Sequence, residues 1–230
     1  GKCLTAEAAT QALGMRPRDA WAAVARTLGI PRSPAELVAQ SEPLLRDRWH
    51  EAALLPGVAR LVAHLRLHGV PLALATSTSR ATLERKLANK PEMRRAFAHA
   101  CGGDEVPAGK PAPDCFLQLA ERFEVPPSAC LVFEDAPAGV QAATTAGMRV
   151  VVVPSQVVSG GKPSHLYPAP DPNAAAGCVS VLPSLLNFRP ERYGLPAFTG
   201  EAGWAGARRS KAGLHVRLVP AHPTCPPHHH

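Results

Sequence analysis

The spacing of apolar residues changes along this chain and divides it into three parts. Residues 1–55 carry helical patterns and no run typical of a strand. Within them, Ser33-Pro34-Ala35-Glu36 matches a capping box, in which the serine and glutamate satisfy each other's main-chain amides and proline occupies the first helical position. We therefore predict a purely helical unit over residues 1–55.

From Pro56 onwards, helical stripes alternate with short, continuously apolar runs. One stripe has the i, i+3, i+4, i+7 spacing of a helix with one buried face: Val58, Leu61, Val62 and Leu65. Gly69 suits the left-handed residue that ends a helix, and the run from Val70 to Ala75 follows it. A run that is apolar on both faces is typical of a parallel strand covered by helices.

The same helix–strand unit recurs twice more. A stripe from Phe116 to Phe123 precedes the run Cys130 to Phe133, and a helix closing at Gly147 precedes the run Val150 to Val153. This alternation predicts an α/β fold over residues 56–198, with a doubly wound, Rossmann-like parallel sheet. Periodicity is lost after Phe198, so we expect residues 199–230 to form a disordered tail.

Composition and charge narrow the choice of partners. The six cysteines are scattered without a C-x-x-C pair, which favours reduced thiols in a cytoplasmic protein. No apolar run approaches the roughly 20 residues of a membrane span, so no membrane partner is expected. The formal charge of +7 comes with no basic stripe interleaved with aromatic residues, so we expect no nucleic acid either. A small anionic metabolite is the expected partner; the oligomeric state is open, with a monomer favoured.

Three polar clusters follow predicted strands or lie between them: Thr76 to Ser79, Gly109-Lys110-Pro111, and Glu134-Asp135. Ligands bind beyond the carboxyl ends of the strands in open α/β sheets. Hydroxyls and a lysine can hold phosphate, and adjacent carboxylates are ligands that Mg²⁺ accepts. Each cluster has an alternative when taken alone, since Thr76 to Ser79 could cap a helix, Lys110 could be solvated, and Glu134-Asp135 could have no function. Asp114 is expected to cap the helix that follows it.

In this order, the three clusters resemble the motifs of the haloacid dehalogenase (HAD) superfamily of phosphatases. The resemblance implies that Thr76 and Ser77 bind phosphate, that Lys110 stabilises nucleophile and phosphate, and that Glu134 and Asp135 bind Mg²⁺. It also implies a Mg²⁺-dependent phosphomonoesterase that acts on a small phosphorylated nucleoside or sugar through an aspartyl-phosphate. Segments 52–57, 131–137 and 193–196 are similar to the pseudouridine-5'-phosphatase branch, in which residues 1–55 would be part of a helical cap.

One motif of that family is absent, because the chain contains no Asp-x-Asp sequence. The resemblance implies that the first aspartate attacks phosphorus and the second is the general acid and base. It also places the strand that bears them centrally, between the strands ending at Thr76 and Asp135. We therefore expect little or no turnover, a missing central strand, and two unpaired inner edges. An incomplete sequence is the expected explanation, with a splice variant or a decaying paralogue as alternatives.

Other functions and sites stay open at this point. A sugar-phosphate mutase of the β-phosphoglucomutase type shares the same motifs, and a non-catalytic fragment or partner protein is a second alternative. His64 and His68 have a spacing that could suit a metal but are expected to be structural. Cys101 is expected to be an ordinary loop cysteine.

Overall fold

A computed structural model describes residues 3–154, 167 and 179–198. The described part of residues 1–55 contains helices and no strand, as predicted: α1 (Ala6–Ala12), α2 (Pro17–Leu28), α3 (Pro34–Arg46) and a 3-10 turn (Trp49–Glu51). The predicted capping box is present at the start of α3. The Ser33 hydroxyl accepts from the Glu36 amide at 3.3 Å, and the Glu36 carboxylate accepts from the Ser33 amide at 2.8 Å.

Helices and strands alternate in the rest of the described chain, again as predicted. The helices are α4 (Val58–Leu67), α5 (Arg80–Leu87), α6 (Pro91–Ala96), α7 (Asp114–Arg122) and α8 (Pro137–Thr145). The strands are β1 (Ala73–Ala75), β2 (His99–Cys101), β3 (Leu131–Glu134), β4 (Arg149–Val152) and β5 (Val179–Val181). Further 3-10 turns lie at Gly103–Glu105, Pro127–Ala129, Leu185–Asn187 and Pro190–Tyr193.

All strand pairs are parallel, but the strands form two separate sheets. One sheet pairs β1 with β2, with Ala73 opposite His99. The other has the order β3-β4-β5, with Leu131 opposite Arg149 and Val150 opposite Val179. No ladder joins the two sheets in the described residues. The missing central strand was predicted to lie between β1 and β3.

Burial explains why the second sheet is well formed. Val150, Val151 and Val152 in β4 are fully buried. One face of the sheets packs against α7 and α8, in a cluster with Phe116, Leu119 and Ala142. The other face packs against α4 and the segment after β5, which contributes Phe188 and Tyr193. This layering of helices on both faces accounts for the continuously apolar strands.

Strand β2 was not predicted, and it corrects the expectation for Cys101. That residue is the last of β2 and is fully buried, rather than lying in a loop. Its thiol pKa is raised chiefly by this burial. His64 is buried too, with its Nε2 2.7 Å from the carbonyl oxygen of Pro196, in agreement with a structural role.

Several predictions lie outside the described residues or stay untested. The expected disordered tail, residues 199–230, is outside them, as are residues 155–166 and 168–178. The domain boundaries at residues 55 and 198 stay predictions. None of the helices in the described part of the chain combines the length and apolarity needed to cross a membrane.

Candidate active site

The first polar cluster lies where β1 ends. Thr76 continues the pairing with β2, since its amide donates to the carbonyl of Cys101 at 3.0 Å. Its hydroxyl lies 3.0 Å from that of Thr78 and accepts from the Thr78 amide at 3.3 Å. Ser79 caps α5 by accepting from the Thr82 amide at 3.3 Å. The capping alternative is therefore true of Ser79, which leaves the hydroxyls of Thr76 and Ser77 for other roles.

Lys110 is a buried cation at the edge of the second sheet. Its residue exposure is 6%, and its ammonium forms an ion pair with Glu134. The ammonium also lies 4.7 Å from the centre of the Phe116 ring, on which a cation is favoured. The alternative of a solvated lysine is therefore wrong. Removing one partner of a buried ion pair leaves an uncompensated charge, so each group depends on the other.

The last residue of β3, Glu134, is held from several sides. Its Oε1 pairs with Lys110, and its Oε2 accepts from the amides of Asp135 at 3.0 Å and Ala136 at 3.3 Å. Gly139 leaves the space that the carboxylate occupies, because a Cβ atom on Gly139 would collide with all three atoms of that group. The position of the Glu134 carboxylate therefore requires a glycine at residue 139.

Asp135 supplies a second carboxylate on the solvent side. Its side chain is exposed, yet neighbouring protein atoms desolvate its carboxyl and raise its pKa, and the charge of Glu134 raises it further. Tyr167 donates from its hydroxyl to the Asp135 carbonyl at 3.2 Å. The pKa of Tyr167 is raised, chiefly by burial and then by the Asp135 and Glu134 charges. A cation between the two carboxylates would relieve this repulsion.

The donor set fits Mg²⁺ better than a softer metal. No group of three potential ligands among His, Cys, Asp and Glu occurs in the described residues. Mg²⁺ does not need one, since it keeps several waters and takes one or two carboxylates together with phosphate oxygens. Glu134 and Asp135 provide those hard oxygen ligands, although Glu134 also serves Lys110.

Asp114 corrects one prediction. It was expected to cap the helix that follows, but the cap position of α7 belongs to Pro113 and no side chain caps it. Asp114 instead accepts from the Ala108 amide at 3.0 Å, because its position in the first turn turns its carboxylate back toward the preceding loop. It thereby holds the loop that leads to Lys110.

Sequence reasoning missed the turn between α1 and α2. Gly14 accepts a hydrogen bond from the Ser77 hydroxyl, 2.5 Å away, and has a positive φ of 81°. A Cβ on Gly14 would lie 2.5 Å from that of Ala136, so this turn approaches both strand ends. Arg16, two residues on, donates to the loop before Lys110. In the sequence, only Gly14 indicated a turn at this point, and it did not indicate that the turn contacts Ser77 and Ala136.

The structure brings some of the predicted site residues into direct contact, but not all of them. Lys110 contacts Glu134 directly, with Asp135 next in the chain. The Ser77 hydroxyl donates to the Gly14 carbonyl, and Gly14 lies close to Ala136, the residue after Asp135. Among the described residues, the Thr76 hydroxyl bonds to Thr78 rather than to Lys110 or Glu134. The Lys110 ammonium and the carboxylates of Glu134 and Asp135 thus lie together at the end of β3, whereas the hydroxyls of Thr76 and Ser77 lie at the end of β1.

Comparison with known proteins decides the family. The profile of haloacid dehalogenase-like hydrolases matches residues 4–147. The chain belongs to this family. A probable pseudouridine-5'-phosphatase of Drosophila melanogaster is 41% identical over 204 residues, which cover 86% of this chain and 83% of that protein. A bifunctional riboflavin kinase/FMN phosphatase of Arabidopsis thaliana is 38% identical over 81% of this chain but only 46% of its own length.

Solved structures agree with this membership. CbbY from Rhodobacter sphaeroides, in complex with xylulose-1,5-bisphosphate, has a TM-score of 0.59 and 25% identity, covering 78% of this chain and 76% of that one. A hydrolase from Pseudomonas syringae has a TM-score of 0.60 and 25% identity, covering 71% and 74%. By family, this HAD-like hydrolase belongs with phosphatases, which hydrolyse phosphomonoesters.

Proposed function

We propose that this chain carries the phosphate- and Mg²⁺-binding part of a phosphomonoesterase for a small phosphorylated nucleoside or sugar. Thr76, Ser77 and Lys110 bind the phosphoryl group, and Glu134 and Asp135 bind Mg²⁺. Pseudouridine 5'-phosphate is the first candidate substrate, because the Drosophila relative is named a probable pseudouridine-5'-phosphatase and is similar over most of both chains. We place this activity in the cytoplasm and in a monomer.

The buried ion pair of Lys110 and Glu134 carries the proposal. Two charges are costly to desolvate, and a fold that keeps them at the end of a strand gains little stability from them. The same pair is useful chemically, since a phosphate can attract the ammonium and a metal can attract the carboxylate. When both ligands are bound, the phosphate is the counter-charge of the ammonium and the metal is the counter-charge of the carboxylate.

Each residue has a distinct part in binding. The Lys110 ammonium supplies a point charge for the phosphoryl oxygens, and the Thr76 and Ser77 hydroxyls donate hydrogen bonds to them. Ser77 must leave Gly14 to do so, because its hydroxyl has a single proton to donate. When bound, Mg²⁺ would neutralise negative charge on the phosphoryl group. Glu134 and Asp135 are the residues that would hold it.

The absence of Asp-x-Asp limits what the chain can do alone. The described residues place no aspartate beside Lys110 that could attack phosphorus, since Asp135 is the proposed metal ligand and Asp114 holds the loop. We therefore propose that the chain binds phosphate and Mg²⁺ but forms no aspartyl-phosphate. Phosphate release from pseudouridine 5'-phosphate is expected to stay at background.

Calorimetry with MgCl₂ and inorganic phosphate tests the binding proposal on the chain itself. Glu134→Gln should weaken Mg²⁺ binding at least tenfold, or ~1.4 kcal/mol, because a charged ligand is lost. Lys110→Ala should weaken phosphate binding similarly. Glu121→Gln, on the exposed side of α7, is the matched control and should change neither. Wild-type protein that binds neither ligand would refute the proposal.

Two alternatives remain as outcomes of related tests. A Thermotoga maritima protein described as a putative β-phosphoglucomutase has a TM-score of 0.50 and 28% identity, which keeps a sugar-phosphate mutase as the second candidate. In a chain supplied with the missing motif, phosphate release indicates the phosphatase and isomer formation indicates the mutase. Tight association with another protein, without Mg²⁺ binding, would favour a non-catalytic partner.

A further inference from the structure

Arg16 connects the helical unit to the loop that carries Lys110. It lies just before α2, and its guanidinium reaches a loop about ninety residues away in sequence. Nη2 donates to the carbonyl of Val106 at 2.8 Å, and Nη1 donates to that of Pro107 at 3.2 Å. The planar fork of a guanidinium suits two neighbouring carbonyls better than a single ammonium does.

The same side chain lies against Gly109. The three atoms nearest to a Cβ placed on Gly109 would all belong to the Arg16 side chain, with Cδ and Cγ both 2.6 Å away. The Arg16 Nε is buried there and has no hydrogen-bond partner among the described residues. Gly109 is the residue directly before Lys110, so Arg16 touches the loop up to the residue that carries the ammonium.

The loop has a second anchor, which comes from the α/β part of the chain. Asp114 in α7 accepts from the Ala108 amide at 3.0 Å. Arg16 therefore contributes what Asp114 cannot, a connection between this loop and the helical unit. Gly14, in the same turn as Arg16, bonds to Ser77 across the candidate site.

We propose that Arg16 is a positioning residue that joins the helical unit to the Lys110 loop, so that this turn fixes where Lys110 lies. Arg16 acts through the loop and does not itself touch the phosphate. The consequence for phosphate binding rests on the proposed function, but the coupling itself does not. It can be measured without any ligand.

Amide hydrogen exchange followed by NMR tests this coupling. In Arg16→Ala, the amide of Ala108, which donates to Asp114, should exchange about tenfold faster, or ~1.4 kcal/mol less protected. The fully buried β4 amides should be unchanged, which shows that the fold persists. Arg18→Ala is the matched control, since Arg18 is exposed in the first turn of α2 and its removal should leave the loop unchanged. Arg16→Lys should restore part of the protection, because its ammonium keeps the charge and can donate from one nitrogen but lacks the planar fork.

Gly109→Ala gives an independent test that keeps Arg16 in place. Gly109 has no positive φ that forbids alanine, so the new methyl acts by displacing the Arg16 side chain. It should reproduce the faster exchange, and the double variant should be no worse than Arg16→Ala alone. Unchanged exchange in Arg16→Ala, an equal effect of Arg18→Ala, or additive effects in the double variant would overturn the proposal. Failure of wild-type protein to bind phosphate would refute the proposed function and leave this result standing.

Discussion

At the scale of single residues, Gly139 decides whether the Glu134 carboxylate can lie where Lys110 meets it. A Cβ atom on Gly139 would overlap the carboxylate, Gly139 is buried, and the Glu134 side chain is only 8% exposed. The glycine is needed here for space, since its φ is not in the left-handed region. The requirement follows from the close approach of helix α8 to the end of β3.

We expect Gly139→Ala to destabilise the fold by about 1–3 kcal/mol, the usual effect of forcing a methyl group into a packed site. It should also weaken Mg²⁺ binding, because Glu134 is displaced. Gly69→Ala is the control, since Gly69 has a positive φ of 68° and no atom within 4 Å of a new Cβ. That variant should lose stability and keep its Mg²⁺ affinity. Urea denaturation and calorimetry on both variants check this; equal Mg²⁺ affinities would contradict it.

Cys115 offers a second prediction at this scale. It is 3% exposed, and burial raises its thiol pKa to about 11, with the Lys110 charge opposing the shift. Because the thiolate is the reactive form, iodoacetamide at pH 8 should modify the exposed Cys3 long before Cys115. Mass spectrometry of timed samples measures both rates. Comparable rates would show that the α7 packing opens readily.

At the scale of elements, the hydrogen bonds show which groups face the break between the two sheets. The amide of Arg149 donates to the carbonyl of Cys130, and the amide of Val153 donates to that of Glu134. The main-chain groups of the even-numbered residues of β3 therefore point toward β4. By alternation, the main-chain groups of Leu131 and Phe133 point away from β4. In the same way, the bonds of Leu72 and Thr76 to β2 turn the groups of Ala73 and Ala75 away from it. No ladder joins β1 to β3 in the described residues.

This alternation predicts a pattern of amide protection within single strands. The amides of Ala73, Ala75, Leu131 and Phe133 should exchange faster than those of Leu74, Val132 and Glu134, by at least about tenfold, the equivalent of ~1.4 kcal/mol. Residue-resolved exchange by NMR measures both sets in one experiment. Equal protection in the two sets would mean that the inner edges are paired with another segment.

The sequence predicted most elements and less of their contacts. Stripes such as Val58 to Leu65 and apolar runs such as Val150 to Val153 report burial, so their helices and strands were found within a few residues. Strand β2 was missed because its three residues, His99 to Cys101, are too few for a periodic signal. The bonds of Arg16 and Asp114 to one loop were missed for another reason. The Arg16 bonds join segments that are distant in sequence, and Asp114 bonds to the preceding loop although an aspartate at a helix start was expected to cap that helix. Neither contact produces a pattern in the spacing of residues.

At the scale of the whole molecule, the break between the sheets and the missing Asp-x-Asp point to one deficiency. Each unpaired main-chain group on the inner edges costs about 1–3 kcal/mol if buried. We expect an added parallel strand to pair with both edges, with its carboxyl end between Thr76 and Glu134. A suitable strand is apolar on both faces and ends in Asp-x-Asp.

A synthetic peptide of this kind, added in excess, should therefore have two separable effects. By pairing with the inner edges it should raise the melting temperature, and by supplying the aspartates it should start phosphate release from pseudouridine 5'-phosphate. The matched peptide with Asn-x-Asp should stabilise equally and start no release, because the amide cannot attack phosphorus. Lys110→Ala should abolish the release and keep the stabilisation. Release with the asparagine peptide would contradict the aspartyl-phosphate route, while a melting temperature that neither peptide changes would show that the break between β1 and β3 does not accept a strand.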